Sequence, residues 1–202
     1  MPKISDSRTR LVQTMARLLR DQGYTATGLS QVLAESGVSN GSLYHHFPAG
    51  MEELAEAALE ASGQSVADAL AAALDGAPNT GAGLSLFLDM AASLFTEDGC
   101  GGCPVAPTAL ESPLISPRLR DAAARCFSNW EALIARRLRA DGWPEDAVPG
   151  AASAGLALIE GALLIARVSG QLDHLANAKR VALALLAERP GQQVRSKRSG
   201  TH

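Results

Sequence analysis

Apolar residues recur along this chain at intervals of three and four, and that spacing predicts helices. Between residues 5 and 22, Leu11, Met15, Leu18 and Leu19 form one stripe, with Arg8, Arg10, Arg17 and Arg20 largely off it. Gly23 follows, where a left-handed cap is expected. A short helix is predicted over 28–35 behind Thr27 as N-cap and closed by Gly37, and another over 40–46 behind Ser39. Phe47-Pro48 ends the second, because the residue before a proline avoids helical angles. A long helix is expected over 51–74, with Met51, Leu54, Ala55, Ala58, Leu59 and Ser62 sharing a face. Beyond a loop at 75–83, the pattern predicts helices at 84–96, 118–141, 145–169 and 172–188. A short one is expected near 105–111, inside the Gly- and Pro-rich stretch 97–117.

Composition strengthens this reading. The 202 residues include 37 Ala and 28 Leu, both strong helix formers, and runs of alternating β-branched residues are missing. An all-α fold is expected. It divides into a helix-turn-helix domain over 1–50, a helical domain over 51–188, and a polar, basic tail over 189–202 that reads as disordered.

The net charge of -3 excludes a wholly basic nucleic-acid binder. Residues 1–50 nevertheless hold five basic groups against three acidic ones, and the remainder holds 13 against 18. A small anion-facing module on an acidic body fits this split, as does ordinary charge scatter. The opening residues, Met1 to Asp6, contain no apolar stretch, so no signal peptide is expected. The longest apolar run, 147–166, contains Pro149 and Glu160, and a central carboxylate is expensive in lipid. It is expected as a buried helix of a soluble, cytoplasmic protein with no membrane partner.

The functional signal lies between Thr27 and Phe47, where two short helices meet at a tight turn. Val32 and Leu33 before the turn, with Val38 and Leu43 after it, can pack as a small core. With Leu43 at the buried pole of the second helix, 100° per residue turns Gly41 and His45 outward and leaves Ser42 and Tyr44 on the flanks. Such a face suits the DNA major groove. Gly41 admits close approach, and Ser39 with the free amides of the helix start can meet a phosphate. Asn40 and Ser42 are short donors and acceptors for base edges, while Tyr44, His45 and His46 reach phosphates, sugars or a thymine methyl. An ordinary helical corner would show similar spacing. Adjacent His45 and His46 point about 100° apart on a helix, so one metal ion is not expected between them.

The segment Gly37-Val38-Ser39-Asn40-Gly41-Ser42-Leu43-Tyr44-His45-His46-Phe47 resembles the recognition region of TetR-type transcriptional regulators. Gly23-Tyr24, Ala26-Thr27 and the spacing to the N-terminal helix agree, and the likeness covers residues 8–60. Gly102-Cys103-Pro104-Val105-Ala106 with Leu110-Glu111 resembles the ligand domain of the LmrA/YxaF-like branch. The resemblance implies a homodimer that binds a palindromic double-stranded DNA operator through Thr27, Ser39, Asn40, Gly41, Ser42, Tyr44, His45 and His46. It further implies a ligand-responsive regulator, a repressor released by a small lipophilic or aromatic effector. Effector binding within residues 75–188 would move the long helix starting near Met51 and change the spacing of the two recognition helices. A coupling of about 1–3 kcal/mol would suffice. No catalytic residue, cofactor or metal is implied.

The helical domain supplies candidates for the remaining roles. Phe87, Met90 and Leu94 on one helix and Phe127, Trp130 and Ile134 on another can line an apolar pocket, or can simply pack as core. Dimer contacts are expected from Leu156, Ile159 and Leu163 on a helix apolar nearly all round, and from Val181 and Leu185 on the next. The lone pair Cys100 and Cys103 leaves open an alternative, a helical small-molecule-binding or thiol-redox protein without operator binding.

Two positions depart from the family wording, since Asn40 and Met51 stand where lysines are usual. Each missing cation removes about one counterion released on binding, which lowers the salt slope by roughly 0.9. Restoring either cation, as Asn40→Lys or Met51→Lys, should therefore steepen a plot of log affinity against log salt by about 0.9. Titrations at three or more salt concentrations check this, and an unchanged slope would place that side chain away from phosphate.

Overall fold

The computed structural model describes residues 4–97 and 101–186. These form nine helices and, among the described residues, no strand. They are α1 (Ile4–Gln22), α2 (Leu29–Ser36), α3 (Asn40–His46), α4 (Met51–Asp75), α5 (Thr80–Glu97), α6 (Ala106–Ile115), α7 (Pro117–Ala140), α8 (Val148–Ser169) and α9 (Asp173–Leu186). The expected all-α class is thus the observed one. Cys100 and the expected tail 189–202 lie outside the described residues.

The chain groups into two compact units. One holds residues 1–66 with 103–128, and the other holds 67–102 with 129–202. The helix-turn-helix therefore shares its unit with residues well beyond 50, because the first half of α4 buries Leu54, Ala55, Ala58 and Leu59. In this unit α1 buries Leu11, Met15, Leu18 and Leu19, and it packs on α2, α3 and α6. Cys126 of α7 approaches α4 so closely that a β-carbon at Gly63 would fall 2.3 Å from its Sγ. Burial, followed by the Glu60 carboxylate, pushes the Cys126 thiol above its ordinary pKa. A thiol so placed is a poor nucleophile.

In the second unit α5 packs chiefly on α9, and α9 on α8. Gly155 of α8 is the close point, where a β-carbon would meet Leu84 Cδ1 at 3.2 Å, Leu186 Cδ1 at 3.4 Å and Ile134 Cγ2 at 3.7 Å. Helix α8 is long and apolar enough to cross a membrane by length and composition, and a third of its most apolar stretch is buried here.

Three helix boundaries differ from the periodicity by three residues or more, each for an identifiable reason. Helix α5 starts at Thr80 rather than 84, since the Asn79 side chain accepts from Ala82 N at 2.9 Å and Asp141 Oδ2 accepts from both Thr80 N and Thr80 Oγ1 at 2.6 Å. The Asn79 cap is a local signal, whereas the part supplied by Asp141 from 61 residues away leaves no local trace. Helix α6 runs on through Pro113 to Ile115 rather than ending at 111. The carbonyl that Pro113 cannot serve, Ala109 O, instead accepts from Ser112 Oγ at 3.1 Å. Helix α8 begins at Val148 rather than 145, with Pro149 in its first turn, where proline loses nothing.

The α4–α5 connection is held by one side chain. Arg137 is largely buried, pairs with Asp141 at 2.9 Å, and donates to the carbonyls of Leu74 and Ala77. Arg137→Ala leaves those two carbonyls without their donor and takes the cation from Asp141, whose carboxylate keeps its bonds from Thr80, and should cost about 2 kcal/mol. For a chain of this size that corresponds to a fall of roughly 4–8 °C in melting temperature, measurable by calorimetry.

Candidate nucleic-acid interface

The presentation of α3 follows from burying one side of it. Val32, Val38, Leu43 and Phe47 are all buried in the unit that contains α1. Gly37 closes α2 in the left-handed conformation, φ 62°. Ser39 then caps α3, accepting from Ser42 N at 3.2 Å. With Leu43 fully buried, Asn40, Gly41, Tyr44 and His45 are exposed, and Ser42 is half-buried on the flank. A β-carbon at Gly41 would meet nothing within 4 Å. That glycine is therefore not demanded by internal packing, and it leaves the surface open to close approach from outside.

Tyr44 is 47% exposed and rests on Gly50, where a β-carbon would fall 3.2 Å from its Cε1. Gly50 N donates to Phe47 O at 2.8 Å, so the turn after α3 is also the seat of the tyrosine ring. Gly50 leaves no mark in the helical spacing, because its role is a contact with a side chain six positions earlier. Helix α4 starts with Glu52 and Glu53, the favourable sign for a helix N-terminus. Both carboxylates are engaged internally, Glu53 accepting from Ala49 N at 2.8 Å and Glu52 from Ser116 Oγ.

Two basic residues of α1 lie beside this module. The Arg8 guanidinium sits 5.3 Å from the Phe47 ring centroid, a cation–π distance. Arg10 pairs with Asp6 at 3.6 Å, and its Nη1 lies 3.4 Å from where a Gly37 β-carbon would be. Both cations flank the turn and α3 without lying on the exposed face of α3.

Two of the expected contact residues are placed differently. Thr27 is buried and does not cap α2, whose N-cap is Gly28 with no side-chain bond. Its hydroxyl instead donates to Gly23 O at 2.6 Å, so it stabilises the α1–α2 turn from inside. His46 is half-buried with its Nε2 enclosed and without a hydrogen-bond partner, its ring edge-on to His45 at 5.2 Å. Of the two histidines, His45 is the one on the open face.

The remaining candidates divide by exposure. Trp130 and Ile134 are fully buried and Phe87 is half-buried, whereas Met90 and Leu94 of α5 are exposed. Phe127 is half-buried and belongs to the other compact unit from Trp130 and Ile134. Among the expected dimer residues, Ile159 and Leu163 turn inward and are buried, so they are core rather than surface. Leu156 is half-buried, and Val181 and Leu185 are exposed. The outer face of α8 is carried by Leu164, Ile165 and Val168, which the all-round apolar pattern could not separate from the inner one. Cys103 is buried.

A helix-turn-helix with a capped, outward-facing second helix defines a DNA-binding regulator. Comparison with known proteins agrees. Residues 11–58 match the model of the bacterial regulatory proteins of the tetR family, and residues 81–181 match the LmrA/YxaF-like transcriptional regulator C-terminal domain. The chain is 35% identical over 198 residues to the uncharacterized HTH-type transcriptional regulator YxaF of Bacillus subtilis, covering 98% of this chain and 100% of that one. It is 34% identical to the HTH-type transcriptional regulator LmrA of the same organism, covering 85% of this chain and 94% of that one. Among solved structures, a TetR transcriptional regulator from Chloroflexus aurantiacus superimposes with a TM-score of 0.76 at 29% identity, over 91% of this chain and 96% of that one. The fold is also that of CifR, solved as a cysteine mutant with 26-bp operator DNA, with a TM-score of 0.74 at 23% identity over 88% of this chain and 95% of that one. The chain belongs to the TetR family of helix-turn-helix transcriptional regulators, with a C-terminal domain of the LmrA/YxaF-like kind.

Tyr44→Ala should weaken operator binding on the order of tenfold, the loss of about one good contact, without lowering the melting temperature. Gly50→Ala should weaken it too, because its β-carbon would press on the same ring and alanine is strained at the φ of 76° that Gly50 adopts. Fluorescence anisotropy at one fixed salt concentration checks both variants, and wild-type affinity for both would displace Tyr44 from the interface.

Proposed function

We propose that this regulator is a homodimeric, cytoplasmic repressor that leaves a palindromic operator when a small hydrophobic effector binds its C-terminal helices. The observation that carries the DNA side is the α3 surface. Asn40, Gly41, Ser42, Tyr44 and His45 face outward or flank that surface while Leu43 anchors its back. One such helix reads only a few base pairs, and a two-fold dimer doubles the contact. Residues 1–50 serve DNA reading in this account, and residues 51–188 serve effector binding and dimerisation.

Support for a dimer comes from the outer faces of α8 and α9. Val168 is 81% exposed and Leu185 66% exposed, with Leu164, Ile165, Val181 and Leu183 also open to solvent. Apolar side chains concentrated on two adjoining helices are the usual mark of a covered surface. An apolar effector suits a domain whose few aromatic residues, Phe87 and Trp130 among them, lie wholly or partly inside it. Chemistry at Cys100 and Cys103 gains no support, and the chain is read as a regulator without catalytic activity.

Footprinting on the gene's own upstream region tests the DNA side, with a two-fold symmetric protected site expected. A panel of lipophilic compounds then tests release. Because Val168 is exposed, Val168→Glu should leave the protomer folded yet shift it from dimer to monomer in sedimentation, and operator affinity should fall with it. A variant that stays dimeric would move the interface elsewhere.

A further inference from the structure

The turn between α1 and α2 is not held by its own residues alone. Gly23 N bonds to Leu19 O, Thr27 N to Tyr24 O, Thr27 Oγ1 to Gly23 O, and Gln22 Nε2 to Ala26 O. The amide of Thr25 instead reaches out of the turn to Glu111 of α6, 86 positions later, donating to Oε2 at 2.8 Å. The other carboxylate oxygen fills the place of a missing side chain, since a β-carbon at Gly23 would fall 2.2 Å from Glu111 Oε1. Gly23 has φ 78° and is buried, so the position needs glycine twice over, for its backbone and for the carboxylate.

We infer that Glu111 is a positioning residue for operator reading, a carboxylate latch through which α6 sets the turn that carries α2 and α3. The turn is the only covalent link from α1 to the helix-turn-helix, so its backbone conformation sets the entry of α2. A carboxylate accepting a backbone amide is a stronger, shorter-reaching restraint than a neutral bond. Tyr24 reports the crowding on the same turn, its pKa raised by burial first and by the Glu52 carboxylate second. Glu111 therefore acts through Thr25 and Gly23 and does not itself meet DNA. The inference rests on the DNA-reading role of α3, but the latch itself can be read without DNA.

The test compares full-length Glu111→Ala and Glu111→Gln with wild type, first by amide hydrogen exchange and then by anisotropy on the footprinted upstream fragment. Glutamine keeps an oxygen able to accept from Thr25 N, and alanine does not. In Glu111→Ala, exchange at Thr25 should speed up by about tenfold while the amides of Leu18 and Leu43 keep wild-type rates. Operator affinity should fall by roughly five- to tenfold, with Glu111→Gln returning both quantities to within about twofold of wild type. Unchanged Thr25 exchange in Glu111→Ala would overturn the latch. So would faster exchange with wild-type affinity, or uniformly faster exchange across the core, which would mark Glu111 as general scaffolding. Wild type failing to bind any upstream fragment would instead count against the DNA-reading role, with Thr25 exchange still deciding the contact.

Discussion

Burial of Leu43 decides what this protein can touch. A seven-residue helix has no stability of its own and takes its orientation from the side it hides. Once Leu43 and Phe47 join the core of the unit containing α1, the 100° advance per residue leaves Gly41 and His45 no choice but the outside. Ser39 at the N-cap and Gly50 beneath Tyr44 then refine a direction already set. The exposed face is small at Gly41 and aromatic at Tyr44, and neither property is required by internal packing. That surplus leaves the face open to a partner.

The basic residues nearby bear on how the proposed interface would hold DNA. Asn40 and Met51 stand where the resemblance implies lysines, and Arg8 and Arg10 spend part of their charge on Phe47 and Asp6. The acidic pair at the start of α4 is likewise turned to internal use through Ala49 and Ser116. In the function proposed here, attraction to phosphate is modest and binding leans on the shape and hydrogen-bonding groups of α3. The unit that presents α3 extends through α6 and half of α7, so carboxylates distant in sequence, Glu52 and Glu111, can hold the module from behind.

Features set by neighbours in the chain were legible in the sequence. The helix-turn-helix, the Ser39 cap, the Gly37 closure and the buried pole at Leu43 each depend on residues within a few positions. Features set by distant residues were not. The early start of α5 depends on Asp141 as well as on the local Asn79, and the Gly23 turn depends on Glu111. Thr27 looked like a cap because caps favour threonine, but its hydroxyl is drawn to Gly23 O one turn back. Ile159 and Leu163 resembled surface candidates because α8 is apolar on every side, a pattern with no internal direction. Only the packing of Gly155 against Leu84 and Leu186 shows which side is in.

The most direct measurement is operator binding by Gly41→Asp. A β-carbon added at Gly41 meets nothing within 4 Å beyond its own helix backbone and chain neighbours, and a carboxylate in the first turn of α3 suits the helix N-terminus. The melting temperature should hold or rise slightly, while a negative charge set against duplex phosphate should lower affinity by about a hundredfold or more. Wild-type affinity in a folded Gly41→Asp protein would contradict the account, because the open face of α3 would then not be the surface that meets DNA.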